Sequence, residues 1–488
     1  MHLSKSQYIK GLQCHKSLWL TKNRPQLIPE TDAQKQHMFD TGHEVGELAK
    51  QLFPGGTEIA FDSGNFQGMI DKTADAIAGG AEVIYEASFR AHDVFIMADI
   101  LVRNGAFWDL YEVKASTQVK PYHENDAAIQ YYVLNSLFPV GKAHIVHVNT
   151  DYIFTGRLDV HQLLTITDIS ETVAGLQDSI EANLASIATI LDQDEPEIPI
   201  GLQCSDPHDC DFKPYCWESV PCPSVFDLYR LGGKDKFALY HQGMATYADV
   251  KNMAMTPTQE LQVKTSLSGE IHIDAYRIGE FISSAEYPIN FLDFETFSSA
   301  IPKYEGQQAY RAIPFQYSLH VLHADGELEH KEFLADEQAD PRHALTAHLL
   351  NDVSPTGTIV AFNKGFEQSV IKSLAAMFEQ QETALLEMNK RFIDLIDPFR
   401  KLMYYHPDFN GSFSIKSILP ALFPDEDELD YKNLEVQGGE MAMIAYASLE
   451  QVENDDERQK TRASLLAYCK LDTLAMVAIW RKLSNIAE

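Results

Sequence analysis

The length of the chain is the strongest constraint on its fold. A chain of 488 residues is too long for one hydrophobic core, so two or three domains are expected. The longest apolar stretches are interrupted by polar residues well before the roughly eighteen residues needed to cross a bilayer. The opening run Met1-His2-Leu3-Ser4-Lys5 leads into no signal-type apolar segment. We therefore expect a cytoplasmic protein with no membrane span.

Changes of pattern along the chain predict three parts. An amphipathic stretch from Leu176 to Leu191 precedes Glu195-Pro-Glu-Ile-Pro199, which is typical of a domain edge. A cysteine-rich segment and a mostly helical segment follow, and a new strand pattern opens at Pro288. We predict a first domain over residues 1–222, a helical linker over 223–284 and a second domain over 285–488.

The net charge of −32 is the main argument against a role in nucleic-acid binding, because contact with a phosphate backbone ordinarily uses a basic face. Much of the acid, however, lies in short runs such as Asp425-Glu-Asp-Glu428, which are typical of solvated loops. A local groove can therefore still be positive.

A first group of chemically useful residues surrounds the Asn104-Gly105 pair. Asn-Gly between two strand-like runs is a strong hairpin signal, and with these two as the turn residues Asp99 and Glu112 become diagonal neighbours on one face. Lys114 shares that face. One divalent cation can bridge two such carboxylates, and a lysine beside them can position or deprotonate the attacking water. The alternative is an exposed strand edge with a surface ion pair.

Asp99, Glu112 and Lys114, followed by Gln130 and Tyr131 on a predicted helix, resemble the site of PD-(D/E)XK nucleases of the RecB-like group. The resemblance implies that Asp99 and Glu112 bind metal, that Lys114 and Gln130 complete the catalytic set, and that His43 is an additional metal ligand. The family's Gln-x-x-x-Tyr pattern is imperfect here, since Leu134 stands where the tyrosine is expected. For His43 and Tyr131 a structural role remains the alternative.

Six cysteines in a chain expected in the cytoplasm argue against a disulfide framework. Cys204-x5-Cys210-x5-Cys216, together with Cys14, resembles the iron-sulfur variant of these nucleases, in which one cysteine before the core and three after it hold a [4Fe-4S] cluster. Such a staple would pin the two ends of the domain together. A structural zinc is the alternative. The family more often has a two-residue gap between its first two downstream cysteines, and because the gap between Cys204 and Cys210 is five residues, Cys222 is a candidate substitute ligand. Cys469 is expected to be a small buried residue.

A second acidic group lies in the last third of the chain. Asp293 and Glu295 alternate on a predicted strand, so both carboxylates point to one face, which is costly unless a cation neutralises them. Glu367 follows an apolar strand. Tyr468 and Asp472 are four residues apart on one helical face. The alternative is a set of half-buried salt-bridge acids.

These three segments resemble the motifs of DEDDy 3′-5′ exonucleases, which have a ribonuclease H-like fold. The resemblance implies that Asp293, Glu295, Glu367 and Asp472 hold two divalent ions and that Tyr468 orients the attacking water. In the family the second motif normally ends in aspartate, where this chain has Glu367.

The whole pattern resembles a bacterial family that fuses a RecB-like nuclease to a ribonuclease H-like domain. It implies an α/β protein with a restriction-endonuclease-like PD-(D/E)XK domain and a ribonuclease H-like domain, joined by a helical segment. The expected function is metal-dependent phosphodiester cleavage of nucleic acid, DNA rather than RNA, in repair, recombination or defence. The expected cofactors are Mg2+ or Mn2+ and a [4Fe-4S] cluster. The alternatives are a catalytically degenerate iron-sulfur protein that binds or scaffolds nucleic acid, and a redox protein.

Overall fold

A computed structural model describes residues 2–488. The chain divides into two compact units. Unit 1 comprises residues 2–219 and Ser299–Arg311, and unit 2 comprises Val220–Ser298 and Ala312–Glu488. The middle segment, residues 223–284, therefore groups with unit 2. Residues 299–311, which the sequence division assigned to the last domain, group with unit 1.

Unit 1 is a mixed α/β structure in which most helices precede or connect strands. Its elements are β1 (Leu3–Ser4), α1 (Lys5–Gln13), α2 (His15–Asn23), α3 (Ala33–Ala49), β2 (Thr57–Glu58), α4 (Phe66–Ala78), β3 (Val83–Ala91), β4 (Val94–Asn104), β5 (Phe107–Lys114), α5 (Pro121–Asn135), β6 (Val140–Val148), α6 (Val160–Leu163), β7 (Leu164–Asp168), α7 (Ser170–Leu191) and α8 (Lys213–Cys216).

The sheet of unit 1 has seven strands in the order β2-β3-β4-β5-β6-β7, with β1 paired to β4. Strands β3, β4 and β5 are antiparallel neighbours, whereas β6 runs parallel to β5 after the crossover helix α5. Trp108 and Leu110 on β5 pack with α5 and α7 in the larger core, and Tyr111 and Val113 pack with α3 on the opposite face. The strand's alternation thus places Glu112 and Lys114 on the face that α5 covers.

The hairpin between β4 and β5 forms, but in a different register from the predicted one. Asn104 pairs with Phe107 and Leu101 with Leu110, so the two turn residues are Gly105 and Ala106 rather than Asn104 and Gly105. Gly105 has φ +64°, as a tight turn requires at its first central position. The turn lies one residue further along the chain than predicted, so each residue's cross-strand partner shifts by two residues. A shift of two changes the pairs but keeps every side chain on its predicted face.

Unit 2 is also mixed α/β, with its strands concentrated in the first half of the segment that follows the middle helices. Its elements are α9 (Gly233–His241), α10 (Tyr247–Val250), α11 (Pro257–Ser268), β8 (His272–Ile273), α12 (Ala275–Ser283), β9 (Ile289–Phe297), β10 (Ile313–Leu322), β11 (Leu328–Leu334), α13 (Pro341–Asp352), β12 (Ile359–Ala361), α14 (Gly365–Met377), α15 (Glu382–Asn389), β13 (Phe392–Asp394), α16 (Asp397–Arg400), β14 (Tyr404–Tyr405), α17 (Ile415–Leu422), α18 (Gly439–Ser448) and α19 (Asp455–Ala487).

Its main sheet has the order β11-β10-β9-β12-β13. Strand β10 is antiparallel to its two neighbours, β9 and β11, and β12 and β13 run parallel to β9. Leu292 and Phe294 of β9 enter a core with α13, α14 and α15, as the predicted alternation requires. Asp293 and Glu295 consequently lie on the other face, where α18 and α19 pack.

The last helix, α19, is long and apolar enough to cross a membrane by length and composition alone. Of its most apolar window, 61% is buried inside the fold, where Cys469, Met476 and Trp480 pack. This is the position of a core helix in a soluble globular protein, and it is the one helix among residues 2–488 that meets the length and hydropathy test.

The middle segment has one helix on each side of Gly243. Gly243 lies two residues after the end of α9 and has φ +79°, and α10 begins at Tyr247. Val225, Tyr247, Val250 and Val263 form a small core of its own.

Candidate functional sites

Glu112 is the centre of the first acidic cluster. It is 1% exposed and accepts three side-chain hydrogen bonds. Lys5 Nζ and Lys114 Nζ donate to Oε1 at 2.8 and 2.6 Å, and Gln130 Nε2 donates to Oε2 at 2.6 Å. The structure thus brings Glu112, Lys114 and Gln130 together.

Asp126 is a member of this cluster that the sequence analysis did not identify. Its Oδ2 accepts a hydrogen bond from Lys114 Nζ at 2.5 Å and lies 3.5 Å from Lys5 Nζ. Asp126 precedes Gln130 by four residues on α5, so the two share a helical face. Once Gln130 had been identified as a site residue, its four-residue spacing from Asp126 was enough to predict that Asp126 lies beside it.

Lys5 was also missed, because it comes from the start of the chain. Strand β1 pairs with β4 through Leu3 to Val94 and Ser4 to Phe95, and the Ser4 side chain then caps α1. The next residue, Lys5, is held over Glu112. Its ammonium is buried, and although desolvation alone would lower the pKa of Lys5, the carboxylates of Asp126 and Glu112 raise it above its usual value.

Asp99 completes the cluster from β4. Its Oδ2 accepts a hydrogen bond from the Val113 backbone N–H at 2.7 Å, which holds the carboxylate against β5. Burial and the nearby Glu112 raise the pKa of Asp99 to about 8. Burial would also raise the pKa of Glu112, but Lys114 and Lys5 hold that pKa well below its usual value. Glu112 is therefore the charged carboxylate of this pair, and Asp99 is the carboxyl group whose charged form an added cation would stabilise most.

The structure does not join His43 or Tyr131 to this cluster. His43 is exposed on α3, whose buried residues pack with Tyr111 and Val113, on the face of β5 opposite to Glu112. Tyr131 donates a hydrogen bond to the Val140 carbonyl at 3.4 Å. Within residues 2–488, neither forms a hydrogen bond or ion pair with Asp99, Glu112 or Lys114.

Cys14, Cys204, Cys210 and Cys216 line one pocket of unit 1, together with apolar side chains such as Ile198 and Phe212. Cys222 is exposed and does not line it. Among residues 2–488, Asp293, Glu295 and Cys469 form the set of three metal-ligating atoms within 4.8 Å of one another, and none of the four pocket cysteines belongs to that set.

Two polar groups contact the cysteine sulfurs, the Gly201 N–H as a donor and the Ser17 hydroxyl as an acceptor. The Gly201 N–H donates to Cys204 Sγ at 3.5 Å, and Cys210 Sγ lies 3.4 Å from Ser17 Oγ. Burial raises the pKa of Cys216 to about 11, against the effect of the Lys16 ammonium. Burial likewise raises the pKa of Cys14. These thiols therefore gain from any cation that stabilises their thiolate form.

Ion pairs join the cysteine-rich segment, and the residues just before it, to the first helices. Lys10 and Lys35 contact the carboxylate of Asp211 at 2.7 and 3.0 Å. Lys16 and Arg24 contact Glu195 at 2.9 and 3.2 Å. The two ends of unit 1 are thus held together around the cysteine pocket.

The second acidic cluster is built on β9 and α19. Asp293 and Glu295 project from one face of β9, and one oxygen of each lies within 4.8 Å of the other and of Cys469 Sγ on α19. Cys469 is buried, as expected, and its sulfur lies 3.7 Å from Asp293 Oδ2. The backbone of Gly439 approaches Glu295 so closely that a Cβ there would lie 3.4 Å from its Oε2.

Asp472 faces this pair from the same helix. Tyr431, which the sequence analysis did not identify, donates a hydrogen bond from its hydroxyl to Asp472 Oδ1 at 2.6 Å. The Tyr468 ring lies 6.1 Å from that of Tyr431, and Lys416 Nζ lies within 6 Å of both ring centres. Burial raises the pKa of Asp472 to about 6, against the opposing effects of Tyr431 and Lys416.

Glu367 approaches from the first turn of α14. It is 3% exposed, and its Oε2 has no hydrogen-bond partner. Burial, with Asp394 nearby, raises the pKa of Glu367 to about 8. An unpartnered oxygen on a buried carboxyl is costly to maintain, so this oxygen is available to a ligand.

The electrostatics of the whole cluster follow from its composition. Burial and the other acids raise the pKa of Glu295 to about 8 and that of Asp293 well above its usual value. The nearest ammonium, that of Lys416, donates its hydrogen bond to the Gln437 carbonyl at 2.6 Å instead of to a carboxylate. Four clustered carboxyls without a cationic hydrogen-bond donor make a site that fits divalent metal ions.

Residues 290–414 match the family model of a domain of unknown function, DUF2779. The match includes Asp293, Glu295 and Glu367 and ends before Tyr468 and Asp472. A solved structure titled "Crystal structure of SSO0001" aligns with 38% of this chain and 80% of its own, at 17% identity and a TM-score of 0.17. A likeness that slight supports no structural argument. No curated protein matches the chain.

Proposed function

We propose that the chain is a metal-dependent nuclease with two phosphodiester-cleaving sites, one in each unit. The observation that carries the proposal is the acidic cluster of Asp293, Glu295, Glu367 and Asp472. These carboxyls are held together against their mutual repulsion, and the cluster has an unpartnered buried oxygen on Glu367. Such a cluster is typical of the two-metal sites of phosphodiester-cleaving enzymes.

The sheet of unit 2 supports a ribonuclease H-like fold for this site. Three antiparallel strands followed by two strands parallel to the first, in the order β11-β10-β9-β12-β13, is the arrangement of that fold. The acids also follow the motif order of DEDDy exonucleases, on β9, α14 and α19 in turn. We therefore assign 3′-end trimming to this unit.

In this site the chain's own residues bind and orient. Asp293, Glu295, Glu367 and Asp472 would hold the metal ions, which when bound supply water activation and stabilise charge on the phosphate. Tyr431 holds Asp472 by a hydrogen bond, and Tyr468, next to Tyr431 and below Lys416, is placed to orient a water.

Unit 1 is proposed to cut internal bonds through a PD-(D/E)XK site. Its antiparallel β3-β4-β5 meander with the crossover helix α5 to a parallel β6 supports that fold. Asp99 and Glu112 would hold one divalent ion, and Gln130 holds Glu112 in place. Lys114 is placed between Glu112 and Asp126 to contact a water or a phosphate oxygen.

The cysteine pocket is proposed to hold a [4Fe-4S] cluster. A tetrahedral zinc, with Zn–S bonds of about 2.3 Å, would draw four sulfurs to within about 4 Å of one another. The support for a cluster is that Cys14, from the start of unit 1, and Cys204, Cys210 and Cys216, from its end, line one pocket. The cluster serves as a staple between the two ends of unit 1.

The proposal is tested by incubating the anaerobically purified chain with a 5′-labelled single strand and with closed circular DNA, with Mg2+, Mn2+ or EDTA. We expect stepwise 3′ shortening of the strand and opening of the circle, both abolished by EDTA. No cleavage of either substrate under any metal would instead favour an iron-sulfur protein that binds nucleic acid without cutting it.

A further inference from the structure

An open groove in unit 2 lies beside the second acidic cluster and is not part of it. It encloses about 390 Å³, which is in the range of ligand-binding pockets. Its walls include Tyr229 and Arg230 from the middle segment, Phe362 and Asn363 from the loop before α14, and Arg400 at the end of α16.

The groove carries positive charge, whereas the net charge of the chain is negative. Arg230 and Arg400 are both exposed, and neither forms an ion pair with a carboxylate within residues 2–488. The Arg400 guanidinium donates only to Asn363 Oδ1, at 3.3 Å. No carboxylate residue lines the groove, and the nearby Asp397 is paired with Lys401 at 2.9 Å. Two unpaired guanidinium groups therefore face solvent in a protein whose net charge is −32.

The loop that carries Arg230 is held by buried groups. Arg230 has φ +49°, a left-handed conformation that a non-glycine residue adopts only when its surroundings impose it. The buried Gln262 accepts from the Tyr229 N–H at 2.9 Å, and Gln259 donates to the Tyr229 carbonyl at 2.8 Å. This fixes Arg230 and the Tyr229 ring, over which its guanidinium lies at 5.2 Å, before any ligand arrives.

Two chain segments contribute residues both to the groove and to the surroundings of the acidic cluster. Asn363 precedes Glu367 by four residues, and the lining residues Ser414 and Ile415 directly precede Lys416, whose ammonium opposes the raised pKa of Glu295 and Asp472. Phe366, next to Glu367, is 43% exposed. Arginines that bind phosphates and exposed rings that stack on bases are the combination found in grooves for single strands.

We infer that this groove binds the single-stranded 3′ segment of a nucleic acid, with Arg230 and Arg400 on backbone phosphates and Phe362 against a base. The inference rests on the proposed function and names the part of the substrate that unit 2 holds. It also assigns a role to the middle segment, because Tyr229 and Arg230 are the contribution of residues 223–284 to the substrate path.

The test measures binding without chemistry, so that it is separate from the test of cleavage. The full chain in EDTA is titrated against 5′-fluorescein-labelled dT20 and rU20 at several salt concentrations, with fluorescence anisotropy as the readout. The variant is Arg230→Glu with Arg400→Glu. The control, Lys72→Glu with Lys390→Glu, makes the same change of charge at two exposed lysines outside the groove.

We expect the groove variant to bind at least about tenfold more weakly than wild type, with its dependence on log salt reduced by about 1.4, or 0.7 for each lost phosphate contact. The control should bind as wild type does. Arg230→Lys with Arg400→Lys should recover most of the affinity, which shows that the loss is one of charge and not of folding. The ratio of dT20 to rU20 affinity identifies the polymer.

Equal binding by the groove variant and the wild type would overturn the inference, and would leave the proposed function intact if the wild type still shortens strands. Equal weakening in the control would also overturn it, since the effect would then belong to net charge. If the wild type binds neither oligonucleotide, the inferred role of the groove is wrong. If the wild type binds them normally but does not cleave, only the proposed catalytic function is wrong.

Discussion

The two acidic clusters solve the same electrostatic problem differently. In unit 1 the buried Glu112 is surrounded by Lys5, Lys114 and Gln130, so most of its charge is balanced by the protein itself. In unit 2 the acids receive hydrogen bonds from a tyrosine and a thiol, but from no ammonium group of residues 2–488. Under the proposed function, the first site would use a metal ion for chemistry alone, whereas the second would use metal ions for its own charge balance as well.

The largest expected effect is the loss of 3′ trimming in Asp293→Ala. Asp293 lies at the centre of the proposed metal site, so its removal should reduce trimming of a 5′-labelled strand to the background of the EDTA reaction. Lys114→Ala, made in unit 1, is the matched control and should trim normally. Trimming by Asp293→Ala at the wild-type rate would remove the cluster from consideration as an active site.

The reciprocal experiment concerns the lysine-balanced site. Lys114→Ala should decrease the opening of closed circular DNA by about 10²-fold to 10⁴-fold, as expected when a group that acts on the attacking water is lost. Asp293→Ala should open circles normally. If Lys114→Ala cuts as wild type does, Lys114 and Glu112 are an ion pair that supports the fold.

A third prediction sharpens the comparison at Glu367, where the chain departs from the usual aspartate. Glu367→Ala removes the unpartnered oxygen and should depress trimming far below the wild-type rate. Glu367→Asp shortens the side chain by one methylene but keeps a carboxylate ligand, and should keep or raise the rate. Equal activity of all three proteins, compared by initial rates with Mg2+ and Mn2+, would mean that Glu367 binds no metal.

The cysteine pocket tests how far the first site depends on its surroundings. Cys14 and Lys5 lie at the two ends of α1, so release of the cluster in Cys14→Ser should loosen the helix that holds Lys5 over Glu112. The wild type, purified without oxygen, should be brown with broad absorption near 400 nm. Cys14→Ser should lose the colour and cut circles more slowly, and should still trim strands. Stoichiometric zinc without iron in the wild type would contradict the proposed [4Fe-4S] cluster.

The smallest expected effect is on stability in EDTA. Glu295 and Glu367 have pKa values of about 8 in the folded chain against 4.5 as the usual value, so the folded state keeps protons that the unfolded state releases. Stability should therefore fall as pH rises from about 5 to 8, by at least about 2 kcal/mol, since each pKa unit corresponds to about 1.4 kcal/mol. Calorimetric scans of Glu295→Gln with Glu367→Gln should show a shallower fall. The same slope in both proteins would contradict the pKa values.

Residues close in sequence could be predicted better than residues that meet only in the fold. The alternation of Asp293 and Glu295, the placement of Gln130 on a helix and the shared face of Glu112 and Lys114 all follow from local periodicity, and the structure places them accordingly. The strand register was wrong, because Asn-Gly signals a turn without fixing which two residues occupy its centre. Lys5 and Tyr431 reach their sites through long-range packing, for which the sequence has no local signal.

The segment Ser299–Arg311 has a consequence for how the two units could be separated. It leaves β9 and returns to β10, two strands of unit 2, yet it belongs to unit 1, where Tyr310 donates a hydrogen bond to the Ala115 carbonyl and Ile153 forms a bridge with Gln308. A fragment that ends at Ser219 would therefore lack a part of its own structure, and the complementary fragment would carry that part without its partner. We expect the fragments to behave like the halves of a split protein, soluble and active only when expressed together.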